Sequence, residues 1–166
     1  MNEKELSKLR VICVDDSPFF IEIMRAMLRA FGIRHLVYAK SSKAALEVLS
    51  QHEFDILLAD CLMPDMDGVE FIRRVRSEMS LPSLGLPIIC VTAHAVRAMV
   101  TAAIYNGADG FLVKPVSAND LFACLIQHIE NPLPRVSLPD YYGPDRRRNP
   151  DPNYLGIERR LAEIER

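Results

Sequence analysis

The sequence lacks several features that would assign the protein to a special class. It has no apolar run of the roughly twenty residues that cross a membrane, and its first ten residues, MNEKELSKLR, contain no apolar stretch typical of a signal peptide. A net charge of −2 gives no general attraction to nucleic acid or to an anionic membrane. We therefore expect a cytoplasmic protein that binds neither.

Cysteines are few and widely spaced. Cys13, Cys61, Cys90 and Cys124 form no Cys-x-x-Cys pair. We interpret them as small buried residues in a reducing compartment. Asp60 directly precedes Cys61 and disfavours its thiolate form, which argues against a redox role for this cysteine.

Short apolar runs alternate with helix-like patterns five times between residues 10 and 130. The predicted strands are residues 10–15, 34–39, 54–60, 87–92 and 110–113, and the predicted helices are residues 17–32, 41–52, 67–79, 94–106 and 117–130. Nearly continuous apolar strands separated by helices are typical of a parallel sheet covered on both faces. We therefore predict an α/β fold with a five-stranded, doubly wound parallel sheet.

Local signals mark the ends of two of these helices. Ser17 can cap the first predicted helix, Pro18 suits its first turn, and Gly32 suits its end. Ser117 and Asp120 fit a capping box at the start of the last helix.

The composition changes after Glu130. Residues 131–166 hold six of the eleven prolines and no strand pattern, so we predict a folded domain at residues 1–130 and an irregular Pro- and Arg-rich extension. Two stretches of the extension, YYGPDRR at 141–147 and YLGIERR at 154–160, share the pattern Tyr-x-Gly-x-acid-Arg-Arg. Two copies this short do not indicate a repeat domain.

The role of the extension has two open interpretations, a disordered tail and a docking segment for a partner or for another protomer, which would allow a homodimer. It is too short and irregular for a helix-turn-helix domain. Six acidic residues offset its seven arginines, so nucleic-acid binding is not expected.

Polar residues stand at the carboxyl ends of all five predicted strands, where open parallel sheets place their sites. Lys40 follows the second strand and has no assigned role, and the others form a candidate site. They are Asp15 and Asp16 after the first strand, Asp60 at the end of the third, Thr92 at the end of the fourth and Lys114 after the fifth. Three carboxylates this close need a counter-charge, and oxygen ligands with an open shell suit magnesium shared with a phosphate. Asp60 would then be a nucleophile that takes up a phosphoryl group, with Thr92 and Lys114 stabilising its oxygens.

Other interpretations compete with this one. Each residue alone could be structural, as a helix cap or a solvated charge. A flavin or another phosphate-bearing cofactor needs a Gly- or Ser-rich loop after the first strand, and DDSP at 15–18 is acidic. Phosphatases of the haloacid dehalogenase kind carry a second aspartate two residues after the nucleophile, and Leu62 at that position argues against an enzyme with independent turnover.

Taken together, these residues resemble the CheY-like receiver domain of two-component response regulators. The resemblance covers about residues 8–130, and its matches occur in order: Asp15-Asp16 after the first strand, Asp60 in DCLMPDMDG, Thr92-Ala93 in VTAHA, and Lys114-Pro115 in GADGFLVKP. It implies a flavodoxin-like (βα)5 fold with strand order 2-1-3-4-5.

The resemblance also implies roles for the acidic residues. Asp60 would accept a phosphoryl group from a histidine kinase or a histidine phosphotransfer protein, in a magnesium-dependent reaction. Asp16, Asp60 and the backbone carbonyl of Leu62 would bind Mg²⁺ directly, and Asp15 would act through water.

A conformational switch is implied as well. The Lys114–Pro115 peptide bond would be cis, and Thr92 and Phe111 would form the switch. Phe111 lacks the hydroxyl of the tyrosine that is frequent in the family at this place, so switching there must come from packing. Leu62 and His94 occupy positions where family members tune the lifetime of the phosphoryl group.

The implied function is a signalling switch rather than an enzyme, limited to its own phosphotransfer and dephosphorylation. It would signal by phosphorylation-dependent contact with an unidentified downstream protein. The alternative is a pseudo-receiver, a constitutive interaction module that is not phosphorylated. The intact set of Asp16, Asp60, Thr92 and Lys114 argues against that alternative.

Overall fold

The computed structural model describes residues 2–77, 85–93, 96–138 and 141–145. None of the helices in these ranges is both long enough and apolar enough to cross a bilayer. In chain order the elements are α1 (Glu3–Leu6), β1 (Arg10–Val14), α2 (Pro18–Ala30), β2 (His35–Ala39), α3 (Ser42–Gln51), β3 (Ile56–Asp60), α4 (Gly68–Ser77), β4 (Ile88–Thr92), α5 (Arg97–Tyr105), β5 (Gly110–Val113), α6 (Ala118–Glu130), β6 (Arg135–Leu138) and β7 (Tyr141–Pro144).

Five of the strands form one parallel sheet in the order β2-β1-β3-β4-β5. The register brings their carboxyl ends to a common edge: Val14 pairs with both Ala39 and Ala59, and Thr92 pairs with Val113. The order reverses between β1 and β3, which is the switch point where flavodoxin-like sheets bind their ligands. The predicted five-stranded, doubly wound, flavodoxin-like parallel sheet is confirmed.

Alternate residues of the central strands feed two separate cores, one on each face of the sheet. In β3, Leu57 and Ala59 belong to the core under α3, α4 and α5, whereas Ile56 and Leu58 belong to the core under α2 and α6. Every residue of β3 is buried. This two-sided burial explains why the strands read as continuous apolar runs rather than as an alternating pattern.

The helix ends follow the local signals closely. The Ser17 hydroxyl accepts a hydrogen bond from the Phe20 N–H, Pro18 is the first residue of α2, and Gly32 has a φ of 87°. Ser117 caps α6 by accepting from the Asp120 N–H. The helix predicted at 94–106 begins at Arg97, and its first two residues, like residues 78–79 of the helix predicted at 67–79, lie outside the described residues.

The extension, which we predict to be irregular because it has no strand pattern, contains two short strands. β6 and β7 pair antiparallel, with Arg135 opposite Pro144 and Leu138 opposite Tyr141. β7 packs against α4. Each strand has only four residues and Pro144 ends the second, and an apolar stretch this short carries no strand periodicity. The rest of the repeat region, from Arg146 onward, lies outside the described residues.

Candidate functional site

Three carboxylates meet at the carboxyl edge of the sheet. One oxygen from each of Asp15, Asp16 and Asp60 lies within 4.8 Å of the others. Asp15 and Asp60 are buried, whereas Asp16 is exposed. The cluster is therefore held by the ends of β1 and β3, two neighbouring strands, and opens to solvent on the side of Asp16.

Backbone amides fix one oxygen of each buried carboxylate. The Ser17 N–H donates to Asp15 Oδ1, and the Leu62 N–H donates to Asp60 Oδ1, both at 2.9 Å. Each carboxylate is thus oriented by a residue two positions further along its own loop. Its second oxygen is left to face the other side of the cluster.

Lys114 bridges these second oxygens. Its Nζ atom lies 2.6 Å from Asp15 Oδ2 and 2.6 Å from Asp60 Oδ2. Burial by itself lowers the pKa of Lys114, but its hydrogen bonds to Asp15 and Asp60 outweigh burial and raise that pKa. The ammonium group is therefore held as a fixed positive charge beside the carboxylate of Asp60. The peptide bond between Lys114 and Pro115 is cis.

Phe20 packs against the same lysine. The Lys114 Nζ atom lies 4.1 Å from the centre of the Phe20 ring, within the range of a cation–π interaction. Sequence reasoning missed this contact because Phe20 reads as one more apolar residue of an amphipathic helix. No sequence signal distinguishes it, since the lysine lies almost a hundred positions further along the chain.

Thr92 and Phe111 lie on β4 and β5, the two strands on one side of β3. Thr92 ends β4 and is fully buried, with its Oγ1 atom 4.0 Å from Met99 Sδ of α5. Its carbonyl accepts a hydrogen bond from the Lys114 N–H, so β4 and the lysine are tied together. Phe111 is half-buried and packs against the core under α3, α4 and α5. His94 lies outside the described residues.

The loop between β3 and α4 is closed by its own backbone. Leu62 forms an isolated β-bridge with Asp67, and the Gly68 N–H donates to the Cys61 carbonyl at 3.2 Å. A Cβ at Gly68 would lie 2.5 Å from the Cys61 Cα, so only glycine fits there. These contacts hold Leu62 beside the carboxylate cluster, with its side chain 47% exposed.

Asp65 anchors this loop to another part of the chain. Its two carboxylate oxygens accept hydrogen bonds from the Ser42 and Lys43 N–H groups in the first turn of α3, at 3.2 and 3.1 Å. Negative charge at a helix N-terminus is favourable. Sequence reasoning missed this role, because the amides that Asp65 contacts come from a segment more than twenty residues earlier.

The donor set suits magnesium. All three acidic side chains offer oxygen, the ligand atom that Mg²⁺ prefers. With Lys114 the four groups sum to −2 when all are charged, which is the charge that one divalent cation balances. The exposed position of Asp16 leaves room for water and for a phosphate oxygen on the same ion.

The four cysteines are free thiols. Burial raises the pKa of Cys13 and raises that of Cys124 to about 11, and a hydrogen bond with Cys61 together with burial raises that of Cys90. Protonated thiols are poor nucleophiles. This agrees with the interpretation of these cysteines as packing residues.

Residues 11–126 match the family model described as the response regulator receiver domain. Chemotaxis protein CheY of Pseudomonas aeruginosa is 34% identical over 113 residues, which cover 68% of this chain and 90% of that protein. The sensor protein GacS of Pseudomonas syringae is 32% identical over 130 residues, but the match spans 75% of this chain and only 14% of GacS.

Solved structures give the same result. The receiver domain of a sensor histidine kinase from Pseudomonas aeruginosa has a TM-score of 0.68 at 26% identity, over 74% of this chain and 98% of that one. That structure is described as having a magnesium ion coordinated in its active-site cleft. The chemotaxis response regulator CheY4 of Vibrio cholerae has a TM-score of 0.66 at 28% identity, over 72% and 97% of the two chains.

Proposed function

Because the chain belongs to the response regulator receiver domain family, we propose that it is a signalling switch that accepts a phosphoryl group on Asp60. The observation that carries this proposal is the position of Lys114 Nζ, 2.6 Å from both Asp15 and Asp60. A fixed ammonium beside a carboxylate nucleophile can stabilise negative charge that develops on transferring phosphoryl oxygens.

The proposed donor is a phosphorylated histidine of a kinase or a phosphotransfer protein. A carboxylate oxygen of Asp60 attacks phosphorus, the new P–O bond forms as the P–N bond breaks, and the imidazole takes up a proton. The Leu62 N–H and the Lys114 ammonium orient the attacking carboxylate. Hydrolysis of the resulting acyl phosphate by water returns Asp60, so the protein turns over only its own phosphoryl group.

Magnesium is part of the proposal. Asp16, Asp60 and the Leu62 carbonyl would hold it directly, and Asp15 would hold it through water. The ion would supply positive charge for the phosphoryl oxygens. The support is the chemistry of the donor set, three carboxylates around an open side, together with the magnesium described in the related receiver domain.

We further propose that Thr92 and Phe111 transmit phosphorylation of Asp60 to the surface of the domain. The Thr92 hydroxyl would turn from Met99 toward a phosphoryl oxygen, and the half-buried Phe111 would move into the space that this opens. Phosphorylation has to favour one of two pre-existing arrangements for this to work. The altered surface would bind an unidentified downstream protein. The free cysteines agree with a reducing, cytoplasmic location.

The decisive experiment is phosphorylation by a small acyl-phosphate donor with magnesium, followed by intact-mass measurement. One added phosphoryl group is expected on the wild-type chain and none on Asp60→Asn. Asp120→Asn changes a carboxylate of the α6 cap whose side-chain hydrogen bond is with Ser117 rather than with the cluster, so it is the matched control and should label normally. Undiminished labelling of Asp60→Asn would refute the acceptor assignment. An unlabelled wild-type chain would favour the pseudo-receiver.

A further inference from the structure

A second cluster of charges lies at the opposite edge of the sheet. Asp109, just before β5, is buried between two arginines: Arg76 Nη2 lies 2.7 Å from its Oδ2, and Arg135 Nη1 lies 2.7 Å from its Oδ1. Asp109 Oδ2 also accepts from the Ile88 N–H at 2.8 Å. The cluster therefore ties the end of α4 and the starts of β4 and β5 to the first residue of β6.

The two arginines bind Asp109 in different ways. Arg76 is 2% exposed and donates to the carbonyls of Gly107 and Leu86 as well as to the carboxylate. Arg135 comes from outside the receiver fold, and its Nη1 and Nη2 atoms make no aligned hydrogen bond within the described residues. Its contact with Asp109 is an ion pair alone. Arg76 thus belongs to the receiver fold itself, whereas Arg135 belongs to the extension and binds Asp109 as a ligand would.

Tyr141 and Gly143 shape the rest of the docked hairpin. The Tyr141 hydroxyl donates to the Pro144 carbonyl at 3.4 Å, and its ring lies over Gly143, where a Cβ would collide with it. Gly143 and Pro144 are buried, and the Asp145 N–H closes the hairpin on the Pro134 carbonyl. The docked hairpin is therefore built on an arginine that pairs with the domain, a tyrosine six residues later and a glycine two residues after that.

The same spacing occurs again in the next thirteen residues. Residues 135–147 read RVSLPDYYGPDRR and residues 148–160 read RNPDPNYLGIERR, with identical residues at six of the thirteen positions. The shared positions include the arginine, tyrosine and glycine that the first copy uses to dock. Arg148 precedes Tyr154 by six residues, as Arg135 precedes Tyr141.

We propose that the surface around the Asp109 carboxylate is a peptide-docking site for the pattern Arg-x5-Tyr-x-Gly, and that residues 148–160 of the same chain are its second ligand. The first copy fills the site in the structure, and the second replaces it when the first is released. Arg148 then supplies the guanidinium for Asp109 Oδ1. This inference goes beyond the proposed function and does not depend on phosphorylation of Asp60.

The chain length permits the exchange within one molecule. Seventeen residues separate Glu130 from Arg148, and they span roughly 56 Å when extended at about 3.3 Å per residue. The radius of gyration of a 130-residue domain is about 14 Å. The first copy has a tether of only four residues, so the shorter loop favours it over the second.

The test is a double-mutant cycle on the full chain, with melting temperature as the readout. Arg148→Ala alone should change the melting temperature by less than about 1 °C, because the first copy holds the site. Arg135→Ala should be partly rescued by the second copy. The double variant should then lose roughly 2–4 °C more than the sum of the single losses. Additive losses would refute the proposal.

Hydrogen exchange of the backbone amides gives a second readout, which a purely local effect of the substitution would leave unchanged. In Arg135→Ala, protection of the amides from exchange should decrease at residues 141–144 and appear at residues 154–157. In the double variant, neither stretch should be protected. A parallel cycle with Tyr141→Ala and Tyr154→Ala repeats the test if Arg135→Ala unfolds the chain. Coupling that appears only together with a dimer in light scattering would assign the ligand to a second copy and overturn the intramolecular form.

Discussion

At the scale of single residues, Lys114 is the centre of the candidate site. It contacts two carboxylates, Asp15 and Asp60, and its ammonium also lies on the Phe20 ring. Three groups from three elements therefore restrict one flexible side chain. A lysine held in this way presents its charge without the entropy cost of ordering it in the proposed phosphoryl transfer.

Tyr38 gives a prediction at the residue scale. Its hydroxyl is buried beside the Arg25 guanidinium, which lies over the ring, and burial raises its pKa to about 12 against the opposing effect of Arg25. The neutral phenol is thus favoured in the folded state. Its contribution to stability is complete below the unfolded value of 10.0 and is lost as pH rises from 10 to about 12.

Relative to Tyr38→Phe, the wild-type chain should therefore lose about 0.5 kcal/mol of unfolding free energy between pH 8 and pH 10.5, after allowance for the part of the ring that water reaches. Urea unfolding at the two pH values measures the difference. Tyr105→Phe, at a half-exposed ring, serves as the control. A constant difference between wild type and Tyr38→Phe at both pH values would contradict the assigned cause.

At the scale of elements, the start of α4 is tightly packed against the loop between β3 and α4. Gly68 begins α4, and the Cys61 backbone lies against it. The loop thereby folds back on the residue that follows Asp60. Helix and carboxylate cluster are positioned together, so a change at the start of α4 should affect Asp60, the proposed acceptor.

Gly68→Ala should show this coupling. The added methyl has no space beside the Cys61 Cα, so the variant should lose about 1–3 kcal/mol of unfolding free energy and accept phosphate from an acyl-phosphate donor more slowly. Gly85→Ala is the matched control, because no atom lies within 4 Å of the new Cβ. Urea unfolding and labelling rates measure the two effects. If Gly68→Ala is destabilised but is labelled at the wild-type rate, the loop does not influence Asp60, the proposed acceptor.

At the scale of the whole molecule, the question is where the folded unit ends. Sequence composition placed the boundary at Glu130, but β7 packs on α4 and Arg135 pairs with Asp109. The hairpin thus supplies a second cation to the buried Asp109 carboxylate, beside Arg76. On this basis we expect the cooperative folding unit to extend to about Asp145.

Two shortened chains test this expectation. A chain ending at Glu130 should lose on the order of 2 kcal/mol of unfolding free energy, because Asp109 keeps Arg76 and the Ile88 N–H but loses Arg135. A chain ending at Asp145 should stay within about 0.5 kcal/mol of the full length. Urea unfolding compares the three. Equal unfolding free energies of all three chains would show that the cooperative folding unit ends at Glu130.

The sequence by itself determined the sheet and the residues at its edge. Strands buried on both faces read as apolar runs, and the carboxyl ends of parallel strands must meet, so Asp15, Asp60, Thr92 and Lys114 were predictable as neighbours. Capping residues such as Ser17 bind the backbone only three positions further along the chain, so the sequence alone was enough to predict them.

Only the tertiary structure decided the contacts between distant segments. The Phe20 ring on Lys114, the Asp65 carboxylate on the amides of α3, and the pairing of Arg135 with Asp109 each join residues more than twenty positions apart. The spacing of apolar residues along the sequence does not predict such a contact, because the packing of the elements determines which distant residues meet. The four-residue strands of the extension are stabilised by that packing too, and their sequence alone carries too little pattern to predict them.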